Sequence, residues 1–161
     1  MKKFAIEIKW GFLLSLALSA SAIVEKELGL YEKPGFSFYV LSPLCFAPIG
    51  LLFYFLFYRE KEKAYFQGKM TWQQGFLAGT MMTAVVAVFV PIQKNIIHGV
   101  IAPELLPNTM LQKMATGKIT LKEAQETTNL KNEIYSGIQL VLSSGVVASA
   151  ALSLFFRTKT N

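Results

Sequence analysis

Four long apolar stretches dominate this chain, approximately Phe4–Val24, Phe38–Tyr58, Gln74–Ile97 and Ile134–Phe156. A helix needs about 20 mostly apolar residues to cross the hydrocarbon core of a bilayer. Each stretch reaches that length, and each is too long for a strand. Lipid offers the backbone no hydrogen-bond partners, so a spanning segment must satisfy itself as a helix. The expected fold is therefore all-α. It is a single transmembrane domain over residues 1–161, an integral membrane bundle of four transmembrane helices. A short amphipathic or polar helical connection joins the third to the fourth. Composition points the same way. Charged residues make up 16% of the chain and hydrophobic ones 53%, whereas soluble domains average about 25% charged. A soluble chain of this length has too much surface to hide so many apolar side chains. An ordinary soluble enzyme, a disordered chain and a collagen-like chain are excluded on that ground.

Orientation follows from the lysines and arginines. Lys2, Lys3 and Lys9 lie at the first end, Arg59, Lys61, Lys63 and Lys69 in the second connection, and Arg157 and Lys159 at the close. These nine share one side. Lys26, Lys33, Lys94, Lys113, Lys118, Lys122 and Lys131 share the other, four of them spread through the long third connection. Short connections carry the positive-inside signal, so both termini are expected in the cytoplasm. A rival reading takes Ala20-Ser21-Ala22 as a signal-peptide cleavage site, which would leave three spans. Against it, Glu7 and Lys9 intrude into the early segment, and the run from Phe4 is long enough to span.

Helices in lipid meet by close packing, which small residues at every fourth position permit. Gly11, Ser15 and Ser19 form such a face on the first span. Gly75, Gly79, Thr83 and Ala87 form one on the third, and Gly145, Ser149 and Ser153 one on the fourth. The faces serve packing within the chain or self-association. The second span is bulky and aromatic and contains Pro43 and Pro48. Proline bends a helix, and two bends either shape it to its neighbours or open a cavity at mid-depth.

Ionisable groups within a span are costly and mark a site to be explained. Glu7 and Lys9 sit near the cytoplasmic end of the first span, where Lys3 and Glu7 are spaced to pair. Lys94 and His98 lie beyond Pro91 at the outer end of the third span, and Glu25 and Glu27 close the first span on that side. A polar contact between Lys94 or His98 and Glu25 or Glu27 is expected there. Two echoes, Gly68-Lys69-Met70-Thr71 and Gly117-Lys118-Ile119-Thr120, precede Gln74 and Glu123 at capping-box spacing. Thr71 with Gln74, and Thr120 with Glu123, read as helix starts. The second echo begins a polar helix, Leu121–Lys131, that continues toward the fourth span. Between Pro103 and Glu133, Met110, Leu111, Met114 and Ala115 recur at helical spacing. They form a short amphipathic helix on the outer leaflet, a lid or a partner surface.

Catalytic and metal-binding patterns are sparse. The chain has one histidine, His98, one cysteine, Cys45, and no aspartate. Zinc sites need three or four close ligands, and a Ser-His-Asp arrangement needs an acid to orient its histidine. No glycine-rich phosphate loop, CxxC or HExxH occurs. No cofactor, metal or catalytic residue is assigned. The net charge of +6 comes from residues at the ends of apolar runs rather than from a clustered basic face, so nucleic acid is not an expected partner.

Several segments together resemble a known family. They are Ile6-Glu7-Ile8-Lys9-Trp10-Gly11, Glu25-Lys26-x-x-Gly29-Leu30, Gly68-Lys69-Met70-Thr71-Trp72-x-x-Gly75 and Gly117-Lys118-x-Thr120-x-x-Glu123-Ala124. The chain resembles, nearly end to end, the bacterial membrane-protein family called domain of unknown function forty-one ninety-nine. The Gly-Lys-Met-Thr-Trp junction is the most specific part. The resemblance implies a four-span protein of the bacterial inner membrane with an uncleaved first span, and it implies no activity.

Three functions compete. A noncatalytic membrane protein that assembles with itself or with a membrane partner fits the small-residue faces and the amphipathic segment. An oligomeric channel or small-solute transporter fits the bent second span and the polar end of the third. A membrane-embedded enzyme has only Glu7, His98 and the outer glutamates to draw on, and these share no motif.

Overall fold

A computed structural model describes residues 4–32, 36–117 and 119–158, with residues 36–40 in backbone only. Lys2, Lys3, Lys33, Lys118 and Lys159 lie outside them, and so does the expected pairing of Lys3 with Glu7. Six helices follow one another among the described residues, without a strand. They are α1 (Ala5–Glu27), α2 (Phe36–Ala64), α3 (Trp72–Ile96), α4 (Leu105–Ala115), α5 (Leu121–Thr127) and α6 (Leu130–Phe156). One wide π turn, Ile97–Ile101, extends α3. Four segments are long and apolar enough to cross a membrane: Ala5–Glu27, Leu41–Ala64, Trp72–Ile101 and Leu130–Phe156. Each runs past the apolar stretch read from the sequence. Long polar side chains at a helix end reach back to water while the helix continues.

Local chemistry sets the helix boundaries. Gly68 takes a φ of +79°, a left-handed conformation that suits glycine. Thr71 then opens α3 with its backbone extended, its side chain accepting from the Gln74 amide. Gln74 Oε1 accepts the Thr71 N–H at 2.9 Å in return. Thr120 and Glu123 repeat this arrangement at the start of α5. The polar helix read over Leu121–Lys131 does not run through to α6. Thr128 leaves helical geometry, and the Asn129 side chain accepts the Asn132 amide at 3.0 Å, starting a new helix. Asparagine competes for nearby backbone groups and so favours a cap over a helix interior.

In the bundle, α3 packs most extensively on α6 and α1, while α2 packs on α1 and α6. The first end of α1, the last turns of α2, the start of α3 and the close of α6 meet at one end. There the Thr158 amide donates to the Met70 carbonyl at 2.8 Å. Leu14, Tyr54, Phe57, Tyr58, Met70, Ala78, Met82 and Val86 form the main core. A smaller cluster of Leu30, Tyr31, Ala102 and Leu105 sits at the opposite end, under α4.

Candidate functional site

Polar groups collect in three layers along the bundle. At the end that carries the termini, Lys61 Nζ of α2 lies 2.7 Å from Glu7 Oε1 of α1, with both side chains almost fully buried. The ammonium group also sits 4.1 Å from the centre of the Tyr65 ring, a favourable placement for a cation. Nearby, Lys9 donates to Glu60 at 2.6 Å, and Trp10 Nε1 donates to the same carboxylate at 2.8 Å. Glu7 is thus buried within the bundle. It faces α2, and Lys61, four residues beyond Phe57, supplies the opposite charge.

The middle layer joins α2, α3 and α6. Tyr54 and Thr83 share a hydroxyl hydrogen bond of 2.5 Å. The Tyr58 hydroxyl reaches the carbonyls of Gly75 at 3.0 Å and Ser149 at 3.1 Å. Small residues make this approach possible. A methyl group on Gly75 would lie 2.9 Å from Ser153 Cβ, and one on Gly79 would collide with Tyr58 and Ser149. One on Gly145 would collide with Thr83, and one on Gly11 would come within 2.7 Å of Val85 Cγ1. The small faces of α3 and α6 therefore meet each other. The face of α1 meets α3, where Gln93 Nε2 donates to the Ser15 carbonyl at 2.5 Å. The hydroxyls of Ser15, Ser19, Thr83 and Ser149 each donate to a carbonyl one turn earlier in their own helix.

The third layer lies at the opposite end. Glu25 is buried and accepts from the hydroxyls of Tyr31 at 2.8 Å and Ser42 at 3.0 Å. Burial and the Glu25 carboxylate both push the Tyr31 phenol above its ordinary pKa, so it stays a donor. Lys94 Nζ lies 2.8 Å from Glu133 Oε2, and His98 Nε2 lies 3.9 Å from the same oxygen. His98 itself is buried in the π turn. Neither of its ring nitrogens has a hydrogen-bond partner among the described residues. Glu27 is exposed. The expected contact of Lys94 or His98 with Glu25 or Glu27 is therefore not the one formed. Glu25 is satisfied by two hydroxyls, and the long lysine stem carries the charge across to α6. Glu133 sits in its first turn, where a carboxylate also complements the positive helix end. Sequence spacing held no sign of this partner, because Glu133 lies 39 positions from Lys94. Lys26 donates to the Ile101 carbonyl, which the close of the π turn leaves free.

No group of three or more metal-ligating side chains occurs among the described residues. All three layers join helix to helix, and the fold they hold is that of a multi-pass helical membrane protein. The chain belongs to the family described as protein of unknown function (DUF4199), which it matches over residues 9–158. No curated protein and no solved structure matches it.

Proposed function

We propose that this chain is a noncatalytic membrane protein that acts by assembling with another membrane-spanning chain. The uneven cover of its helices carries this reading. Only 17% of the apolar window of Leu130–Phe156 is buried inside the chain, against 44% for Trp72–Ile101. One side of α6, carrying Tyr135, Gln139, Leu142, Ser143 and Val146, is left exposed. The middle layer speaks against a conduit through one chain, since its helices approach too closely to admit even a methyl group at Gly79 or Gly145. A channel or transporter would have to form between chains. The packing of Gly11 on α3 and of Glu7 on Lys61 supports an α1 that stays with the bundle. The basic residues gathered at the terminal end support an orientation with both termini in the cytoplasm, in a bacterial inner membrane.

Native mass spectrometry of untagged protein, extracted gently from its own membrane, tests this reading. A species at an integer multiple of 17.9 kDa, or one carrying a second subunit, is the expected result. A lone chain at that mass under every gentle detergent would overturn it.

A further inference from the structure

The assembly reading leaves open which surface is used and by what, and α6 carries a group that answers both questions. The helix runs from Leu130 to Phe156, so Ser143 is its midpoint. Gln139 lies four residues away, about 6 Å along the axis at 1.5 Å per residue. A hydrocarbon core about 30 Å thick then encloses it. The Gln139 side chain is exposed on the outside of the bundle, and among the described residues no hydrogen bond is made to its carboxamide. Several other polar groups of the spans are satisfied within the chain. Ser143 and Ser144 donate back to the Leu140 carbonyl, Thr80 donates to the Phe76 carbonyl, and Gln93 crosses to α1. A carboxamide is too long and has too many donors to be quieted in this way, and in lipid each unmade hydrogen bond is costly. Around it, Tyr135, Leu142 and Val146 are exposed on the same face of α6. With Gln139 they recur at alternating steps of four and three, the seam by which parallel helices pack.

Resting on that assembly reading, we propose that a second copy of this chain docks along the Tyr135–Val146 face of α6, with the two Gln139 carboxamides hydrogen-bonded to each other. The choice of a second copy follows from self-complementarity. Copies inserted by the same charge rule are parallel in the membrane. A two-fold axis along the membrane normal then places both Gln139 side chains at the same depth. A carboxamide is donor and acceptor at once, so each NH2 donates to the carbonyl of the other. A partner of another sequence would satisfy Gln139 only by presenting a polar group at that one depth.

The test is cysteine cross-linking of the full chain in its native membrane, in a Cys45→Ser background. Disulfides form only when the two Cα atoms come within about 7 Å. Leu142→Cys and Val146→Cys, on the seam, are expected to give covalent dimers under mild oxidation. Leu140→Cys and Val147→Cys, exposed on another side of α6, are expected to give none. Gln139→Leu should weaken dimerisation in detergent roughly tenfold, the scale of interhelical hydrogen bonds in membranes. It should leave the unfolding temperature of the monomer unchanged, since leucine is at home in lipid. Oligomers seen by native mass spectrometry with cross-links only at Leu140→Cys or Val147→Cys would overturn this surface and leave the assembly reading standing. So would cross-links from the seam to a different protein. A lone chain with no cross-link would overturn both. An unchanged dimer constant for Gln139→Leu would remove the carboxamide pair.

Discussion

The two ends of the bundle each hold an ion pair between helices, and the pairs differ in how much water they see. Lys61 and Glu7 have side chains 2% and 3% exposed, while those of Lys94 and Glu133 are 26% and 36% exposed. The chemistry is the same, an ammonium group on a carboxylate at under 3 Å, but the consequence of losing a partner is not. A buried charge without its partner has no water to fall back on, so its pairing is obligatory even when the pair adds little net stability. A half-exposed pair exchanges its partner for water at small cost. The Lys61–Glu7 pair is therefore rigidly specified, with an aromatic wall of Tyr65 and Phe66 over Lys61, beside the more exposed Lys9–Glu60 pair of the same end. At the opposite end the Lys94–Glu133 pair is one that water can replace, while the buried Glu25 carboxylate there is held by Tyr31 and Ser42.

The largest effect expected from this contrast is at Lys61. Lys61→Met should lower unfolding stability in detergent by about 3–5 kcal/mol, the cost of stranding a buried charge. The double variant Glu7→Met with Lys61→Met should recover most of it. A double variant no better than the single one would break the comparison, because the loss would then belong to packing rather than to charge. At the other end, Lys94→Met should cost at most about 1 kcal/mol, with the wild-type pair weakening as salt is raised. Thermal unfolding at low and high salt measures this. A loss as large as at Lys61 would show that the half-exposed pair is as tightly specified as the buried one.

The smallest effect compares two capping boxes. The Thr71 box that starts α3 uses a neutral partner, Gln74, while the Thr120 box that starts α5 uses Glu123. The Thr120 backbone amide and hydroxyl hold the Glu123 carboxyl below its ordinary value of 4.5. A carboxyl depressed on folding contributes stability that is fully present above its unfolded pKa and lost as pH falls through its folded pKa. Protection of the α5 amides against hydrogen exchange should therefore drop as the solution is taken below 4.5. Protection at the start of α3 should not respond. Glu123→Gln should abolish the acid response of α5, while Thr120→Ala, which removes the hydroxyl and keeps the backbone amide, should only reduce it. Equal responses at the two helix starts would remove the distinction.

Much of the fold was legible because the forces that set it are local or depend on composition alone. The number and approximate extent of the spanning helices follow from apolar length. The starts of α3 and α5 follow from a threonine and a Gln or Glu three residues on. The site was legible only in part. Small residues at every fourth position marked faces on the first, third and fourth spans, but their periodicity names no partner. The coordinates join Gly75, Gly79 and Thr83 to Gly145, Ser149 and Ser153, and Gly11 to α3. The charged residues were visible as anomalies in apolar helices, yet the partners found are not those drawn from spacing or from a shared side of the membrane. Lys3 falls outside the described residues, and Glu7 meets Lys61. Lys94 reaches Glu133 while Glu25 is closed off by Tyr31 and Ser42. The π turn at Ile97–Ile101 leaves no periodic signal in the sequence.

What this sequence determined by itself is thus the membrane-length helices, their capped ends and the positions at which a polar or small residue interrupts them. Those depend on neighbours within a few residues and on the solvent around the chain. Which polar residue answers which was decided by tertiary structure alone. A helix has neighbours on every side, and only the docking of α1, α2, α3 and α6 brings side chains from distant parts of the chain within 3 Å. Gln139 marks where that docking stops, because its carboxamide is exposed on a side of α6 that no other helix covers among the described residues.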